Sequence, residues 1–81
     1  MFEIHEAFAA TVIKTRQELG IDDSRLNVNG GVIALGHPMG ATGAIMTGTL
    51  IDELHRQQLS SGIVAASGAA GSGSALLLER C

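Results

Sequence analysis

The sequence predicts an α/β fold with the element order β-α-β-α-β-β, and three observations lead there. Two helix-length patterns alternate with short apolar runs of strand character. Gly20, the Gly30-Gly31 pair and Ser60-Ser61-Gly62 punctuate the chain at the joints between those runs. The last two apolar runs have only a glycine-rich stretch between them, as an antiparallel pair would. Strands that alternate with helices imply α/β units with right-handed crossovers.

Phe2 to Glu6 alternates apolar Phe2 and Ile4 with polar Glu3 and His5, the period of a short strand. Ala7 to Leu19 reads as a helix, with Phe8, Val12 and Leu19 roughly along one face and Lys14, Arg16 and Glu18 outside. Gly20 is placed to stop it. Residues 21–25 form a polar connector, and Leu26 to Asn29 is expected as the second strand. A helix follows from about Met39 to Gln58. Its first half is small or apolar nearly all round, with Gly43 and Gly48 in its interior, each costing about 1 kcal/mol relative to alanine. Close approach of another backbone is the reason expected for that cost, so this half should be covered on more than one side. In the second half Ile51 and Leu54 should face inward, and Asp52, Glu53, His55, Arg56, Gln57 and Gln58 outward. Ile63 to Ala66 reads as a buried strand, Ser67 to Gly73 as a glycine-rich hinge, and Ala75 to Leu78 as the last strand.

Eighty-one residues make one domain at most. Apolar content is 46%, yet aromatics are 2% and there are 11 glycines, so the core is thin for a domain standing alone. A piece of a larger protein is the expectation. The net charge of −3 and five scattered basic residues leave no nucleic-acid or membrane footprint. No apolar run reaches spanning length, and no signal peptide is apparent. The single cysteine, Cys81, excludes a disulfide framework and points to an intracellular, cytoplasmic setting. His5, His37 and His55 lack metal-ligand spacing, so no metal site is expected. P-loop and dinucleotide spacings are likewise not met.

Chemistry concentrates between Asn27 and Gly43. Four apolar residues lead into Gly36-His37-Pro38. Pro38 pushes the residue before it toward extended backbone and can open a helix but not sit inside one. His37 therefore belongs on a stiff corner at a helix start, where a histidine can serve as a general base.

The run Asn-x-x-Gly-Gly-x-Ile-Ala-x-Gly-His-Pro-x-Gly-x-Thr-Gly, from Asn27 to Gly43, resembles the histidine-containing signature of the thiolases, the acyl-CoA C-acyltransferases. Ile4-His5-Glu6-Ala7-Phe8-Ala9 is similar to that family's Asn-Glu-Ala-Phe segment in its histidine-bearing variant. Ser67 to Gly73 falls where the family carries Cys-x-Gly-x-Gly. The resemblance spans about Phe2 to Glu79. It implies that residues 1–81 are the latter part of the C-terminal half of a thiolase-like layered fold, with one buried central helix.

The same resemblance implies the site. His37 would activate a nucleophilic cysteine and help bind the thioester oxyanion, since a neighbouring imidazole lowers a thiol's pKa. His5 would stand for the family's asparagine as a water or oxyanion ligand. Glu6 is either an orienting partner for a histidine or a surface charge. Gly36 and Ala69 would contribute backbone to oxyanion binding. Ser67 occupies the place of the family's second cysteine, the acid–base for the acetyl α-carbon. A serine hydroxyl titrates too high for that task without its own activator, and loss of such a group costs about 10²- to 10⁴-fold. The nucleophilic cysteine and the coenzyme A loop have no counterpart here, so no residue is assigned to coenzyme A binding and the 81 residues alone are not expected to be active. A coenzyme A thioester would be the substrate, with no resident cofactor. The partners would be the N-terminal thiolase half, in the same or a separate chain, and further copies of the full enzyme. The alternatives are a non-catalytic thiolase-like subunit or a diverged thiolase-like aldolase or hydrolase.

Overall fold

The computed structural model describes residues 1–36, 38–68 and 71–81. Three strands form one sheet in the order β1 (Phe2–Ile4), β2 (Ser61–Ser67), β3 (Gly73–Glu79). β1 runs parallel to β2, with Glu3 opposite Val64, and β2 runs antiparallel to β3, with Val64 opposite Leu76. The expected antiparallel pairing of the last two strands is therefore present. Two α-helices, α1 (Ala9–Leu19) and α2 (Thr42–Gln57), lie in the long connection from β1 to β2.

The predicted strand over Leu26–Asn29 is not formed. Only Leu26 bridges to Phe2, and the chain then turns away. The reason is Asn27, which adopts a left-handed backbone (φ 44°) and uses its side chain where a strand would use its main chain. Its Oδ1 accepts from the Ile4 N–H at 2.8 Å and its Nδ2 donates to the Ile4 carbonyl at 3.0 Å. The edge of β1 is thus satisfied by an amide side chain, and no further ladder is needed.

The core lies between α2 and the sheet. Val32, Met46, Leu50, Leu54 and Val64 are all buried, with Met1, Ile45, Leu59, Ala66 and Leu78 packed against them. Thr42, Met46, Leu50 and Leu54 repeat every four residues and, with Glu53, form the covered stripe of the helix. This corrects two expectations. Ile51 is 43% exposed, because it lies off that stripe, and Glu53 is buried within it. The first half of α2 is also covered on one side only: Gly43, Ala44 and Gly48 are exposed, since this chain supplies a single layer for the helix to pack on.

A 3-10 turn at Met39–Ala41 leads directly into α2, matching the expected helix start. α1 ends at Gly20, which takes the left-handed conformation (φ 64°) with its N–H on the Arg16 carbonyl. No residue of α1 is buried, and Phe8 and Leu19 point outward rather than along an inner face.

Candidate active site

His5 follows β1 directly. Its N–H donates to the Ala65 carbonyl at 2.9 Å, which continues the β1–β2 ladder by one residue and holds the residue in a buried position. Ser67 ends β2 opposite Gly73, and beyond it the Gly68 N–H donates to the Ser72 carbonyl at 2.9 Å to close the hairpin. The two residues line one open cleft of about 370 Å³ between the sheet and α1, with Ile4, Thr11 and Thr15 on its walls. Of the residues singled out from the sequence, these two are brought together. His37 and Ala69 lie outside the described residues.

Two described residues on either side of position 37 are left-handed. Gly36 (φ 76°) caps the 3-10 turn Ile33–Leu35, and Met39 (φ 52°) opens the next one. A left-handed non-glycine residue costs on the order of 1–3 kcal/mol and persists only where its surroundings impose it.

The loop over residues 27–33 is tied to both neighbouring elements. Asn27 Nδ2 donates to Glu6 Oε2 at 3.2 Å, and the Ile33 N–H donates to Glu6 Oε1 at 3.3 Å. Asn29 Nδ2 donates to Glu53 Oε2 at 2.9 Å. Arg56 and Gln57 also donate to the Glu53 carboxylate. The Arg56 guanidinium first, then the Gln57 and Asn29 amides, hold that carboxyl down at about 2. Glu3 meets the opposite environment. It stands beside Val64 under α2 and is 3% exposed, and burial pushes its carboxyl up to about 7, with the Glu6 and Glu53 charges adding to the effect. Sequence reasoning missed Glu53, Asn27 and Asn29 as network members. The signature marks Asn27 without saying what it binds, and only the fold brings residues more than twenty positions apart into contact.

Among the described residues no group of histidine, cysteine, aspartate and glutamate side chains could hold a metal ion. No described helix is long and apolar enough to cross a membrane. Cys81 is a free, exposed thiol.

The chain is similar to proteins of known name over its whole length. It is 47% identical over 81 residues to the 3-ketoacyl-CoA thiolase of Bacillus subtilis, covering 100% of this chain and 21% of that protein. It is 44% identical over 80 residues to the acetyl-CoA acetyltransferase of Cupriavidus necator, covering 99% of this chain and 20% of the relative. The crystal structure of the Bacillus anthracis acetyl-CoA acetyltransferase superposes with a TM-score of 0.94 at 44% identity, over 100% of this chain and 21% of that one. The chain therefore spans about a fifth of the length of these relatives. Residues 1–80 match the family described as thiolase, C-terminal domain, and the chain belongs to that family.

Proposed function

We propose that these residues are the C-terminal catalytic segment of a thiolase-type acyltransferase that acts on acyl-CoA or 3-oxoacyl-CoA thioesters. The observation that carries this reading is the shared cleft: His5 and Ser67, from the ends of two neighbouring strands, face the same open space. Rigid strand ends are where a reacting thioester can be held against fixed side chains. The relatives named 3-ketoacyl-CoA thiolase and acetyl-CoA acetyltransferase support the substrate class.

In this reading a cysteine thiolate from an N-terminal half, in the same or a separate chain, attacks the 3-oxo carbonyl. The Cα–Cβ bond breaks, the departing acetyl-CoA carbanion takes up a proton, and the acyl group held on the cysteine sulfur passes to the thiol of free coenzyme A. His37 acts as the base toward the cysteine and as an oxyanion donor. His5 is a second donor to oxygen or water. Ser67 and Ala69 form the far wall, where Ala69, like Gly36, contributes backbone rather than side chain. The 81 residues are inactive without the other half. The coenzyme A thioester is the substrate, no resident cofactor takes part, and the full enzyme is a homo-oligomer. A lone cysteine accords with the intracellular, cytoplasmic setting this reading carries.

Ser67 favours a second reading, in which the protein is a non-catalytic subunit or a thiolase-like aldolase or hydrolase. Thiolysis of a 3-oxoacyl-CoA by the complete protein separates the two. Ser67→Cys is expected to raise the rate by about 10²- to 10⁴-fold, and His5→Ala to lower it. Equal rates for wild type and Ser67→Cys would remove the idea that Ser67 replaces an acid–base. No thiolysis by either protein would overturn the acyltransferase reading.

A further inference from the structure

We infer that Glu6 is a positioning residue: its carboxylate clamps the Asn27–Ile33 loop, which leads into Gly36, to the end of β1 beside His5. The catalytic meaning of the clamp rests on the acyltransferase reading above, whereas the clamp itself rests on geometry.

Glu6 adjoins His5 in the chain, and its carboxylate takes one hydrogen bond at each end of the loop. Oε2 accepts from the Asn27 side chain at 3.2 Å, and Oε1 accepts from the Ile33 N–H at 3.3 Å. Ile33 opens the 3-10 turn that Gly36 closes, and its N–H is one the turn leaves without an internal acceptor. Asn27 carries the tie onward by gripping both main-chain groups of Ile4, one residue before His5. Glu6, Asn27 and Ile33 thus bind the end of β1, which leads into His5, and the turn that Gly36 closes into one unit.

Gly31 supplies the independent observation. A Cβ at this position would lie 2.0 Å from Glu6 Oε1 and 2.1 Å from its carboxyl carbon, and its backbone is not left-handed. A side chain here would therefore displace the Glu6 carboxylate that rests on this glycine, so the absence of a Cβ serves the clamp and not a turn. The opposite side of the loop is held by Asn29 on Glu53 of α2, so the clamp works against a fixed support.

The test uses the complete protein with Glu6→Ala, Glu6→Gln, Gly31→Ala and the double variant Glu6→Ala/Gly31→Ala. Thiolysis kinetics are measured beside amide exchange at Ile4 and Ile33. Glu6→Ala and Gly31→Ala are expected to lower kcat by about tenfold or more with KM nearly unchanged, and to speed exchange at Ile33. Glu6→Gln keeps an acceptor oxygen and is expected to retain more activity than Glu6→Ala. The double variant should be no worse than Glu6→Ala, because the carboxylate that the added methyl would strike is then gone. Unchanged exchange in both single variants overturns the clamp. Faster exchange with unchanged kcat overturns the positioning role. If neither the wild type nor Ser67→Cys shows thiolysis, the acyltransferase reading falls, and exchange alone decides the clamp.

Discussion

The charge of Glu53 acts on Glu3, yet their surroundings push the two carboxyls in opposite directions. Glu53 is the partnered carboxylate, held down at about 2 by Arg56, Gln57 and Asn29. Its contribution to stability is fully present above the unfolded value near 4.5 and is lost as pH falls toward 2. Glu3 is the isolated one, raised to about 7 by burial and by its two acidic neighbours. Between 4.5 and 7 the folded state binds more protons at Glu3 than the unfolded state does, so stability falls as pH rises through that window. Above 7 the penalty is constant. Glu3→Gln keeps the shape and removes the charge, so it should stabilise the domain by about 1–3 kcal/mol at about pH 8 and not at about pH 4. Urea unfolding at those two pH values checks this, and an equal gain at both would show that the charge is not the cause.

At the scale of elements, α2 is held by the row Thr42, Met46, Leu50 and Leu54, and Leu50 is its fully buried member. Leu50→Ala should cost about 2–5 kcal/mol through lost burial and the cavity left behind. Gly62, on β2 beneath it, has no room for a side chain: a Cβ there would meet Leu50 Cδ1 at 2.8 Å and the Met1 carbonyl at 3.1 Å. Gly62→Ala should therefore cost about 1–3 kcal/mol by overpacking. The double variant should be less unstable than the sum, because Leu50→Ala vacates the contested space. Chemical denaturation of the four proteins reads this directly, and strict additivity would mean that strand and helix do not meet as described. The same elements show what the sequence makes legible. The helix after Pro38, the Gly20 stop and the β2–β3 pair follow from period and punctuation. The strand predicted at Leu26–Asn29 fails because Asn27 substitutes an amide side chain for a ladder, a choice invisible to apolar periodicity. Glu53 reads as a surface charge for a similar reason, since its three donors include an asparagine 24 residues away. In the site, the residue types at positions 5 and 67 are legible from the family signature. Their meeting in one cleft required the β1–β2 register.

For the whole molecule, the decisive quantity is the apolar surface left open. Phe8 and Met39 are each 73% exposed, Leu19 65% and Leu77 61%, and the glycine-bearing face of α2 is uncovered. Scattered exposed apolar residues are ordinary on a monomer. Here they come from both helices, the 3-10 turns before α2 and β3, in a chain whose buried cluster holds five of the described residues. Such a domain gains little from its own core, and it leaves surface that another layer of protein would bury at about 25 cal/mol per Å². Expressed alone, the 81 residues should therefore self-associate or bind a hydrophobic dye, with a broad, weakly cooperative melt. Within the complete protein, the same residues should be protected from exchange and the dye should not bind. Light scattering and dye fluorescence on the two forms separate the possibilities. A monomeric, dye-silent, sharply melting 81-residue domain would mean that its single layer suffices, and that Gly43 and Gly48 serve some purpose other than admitting a neighbouring backbone to α2.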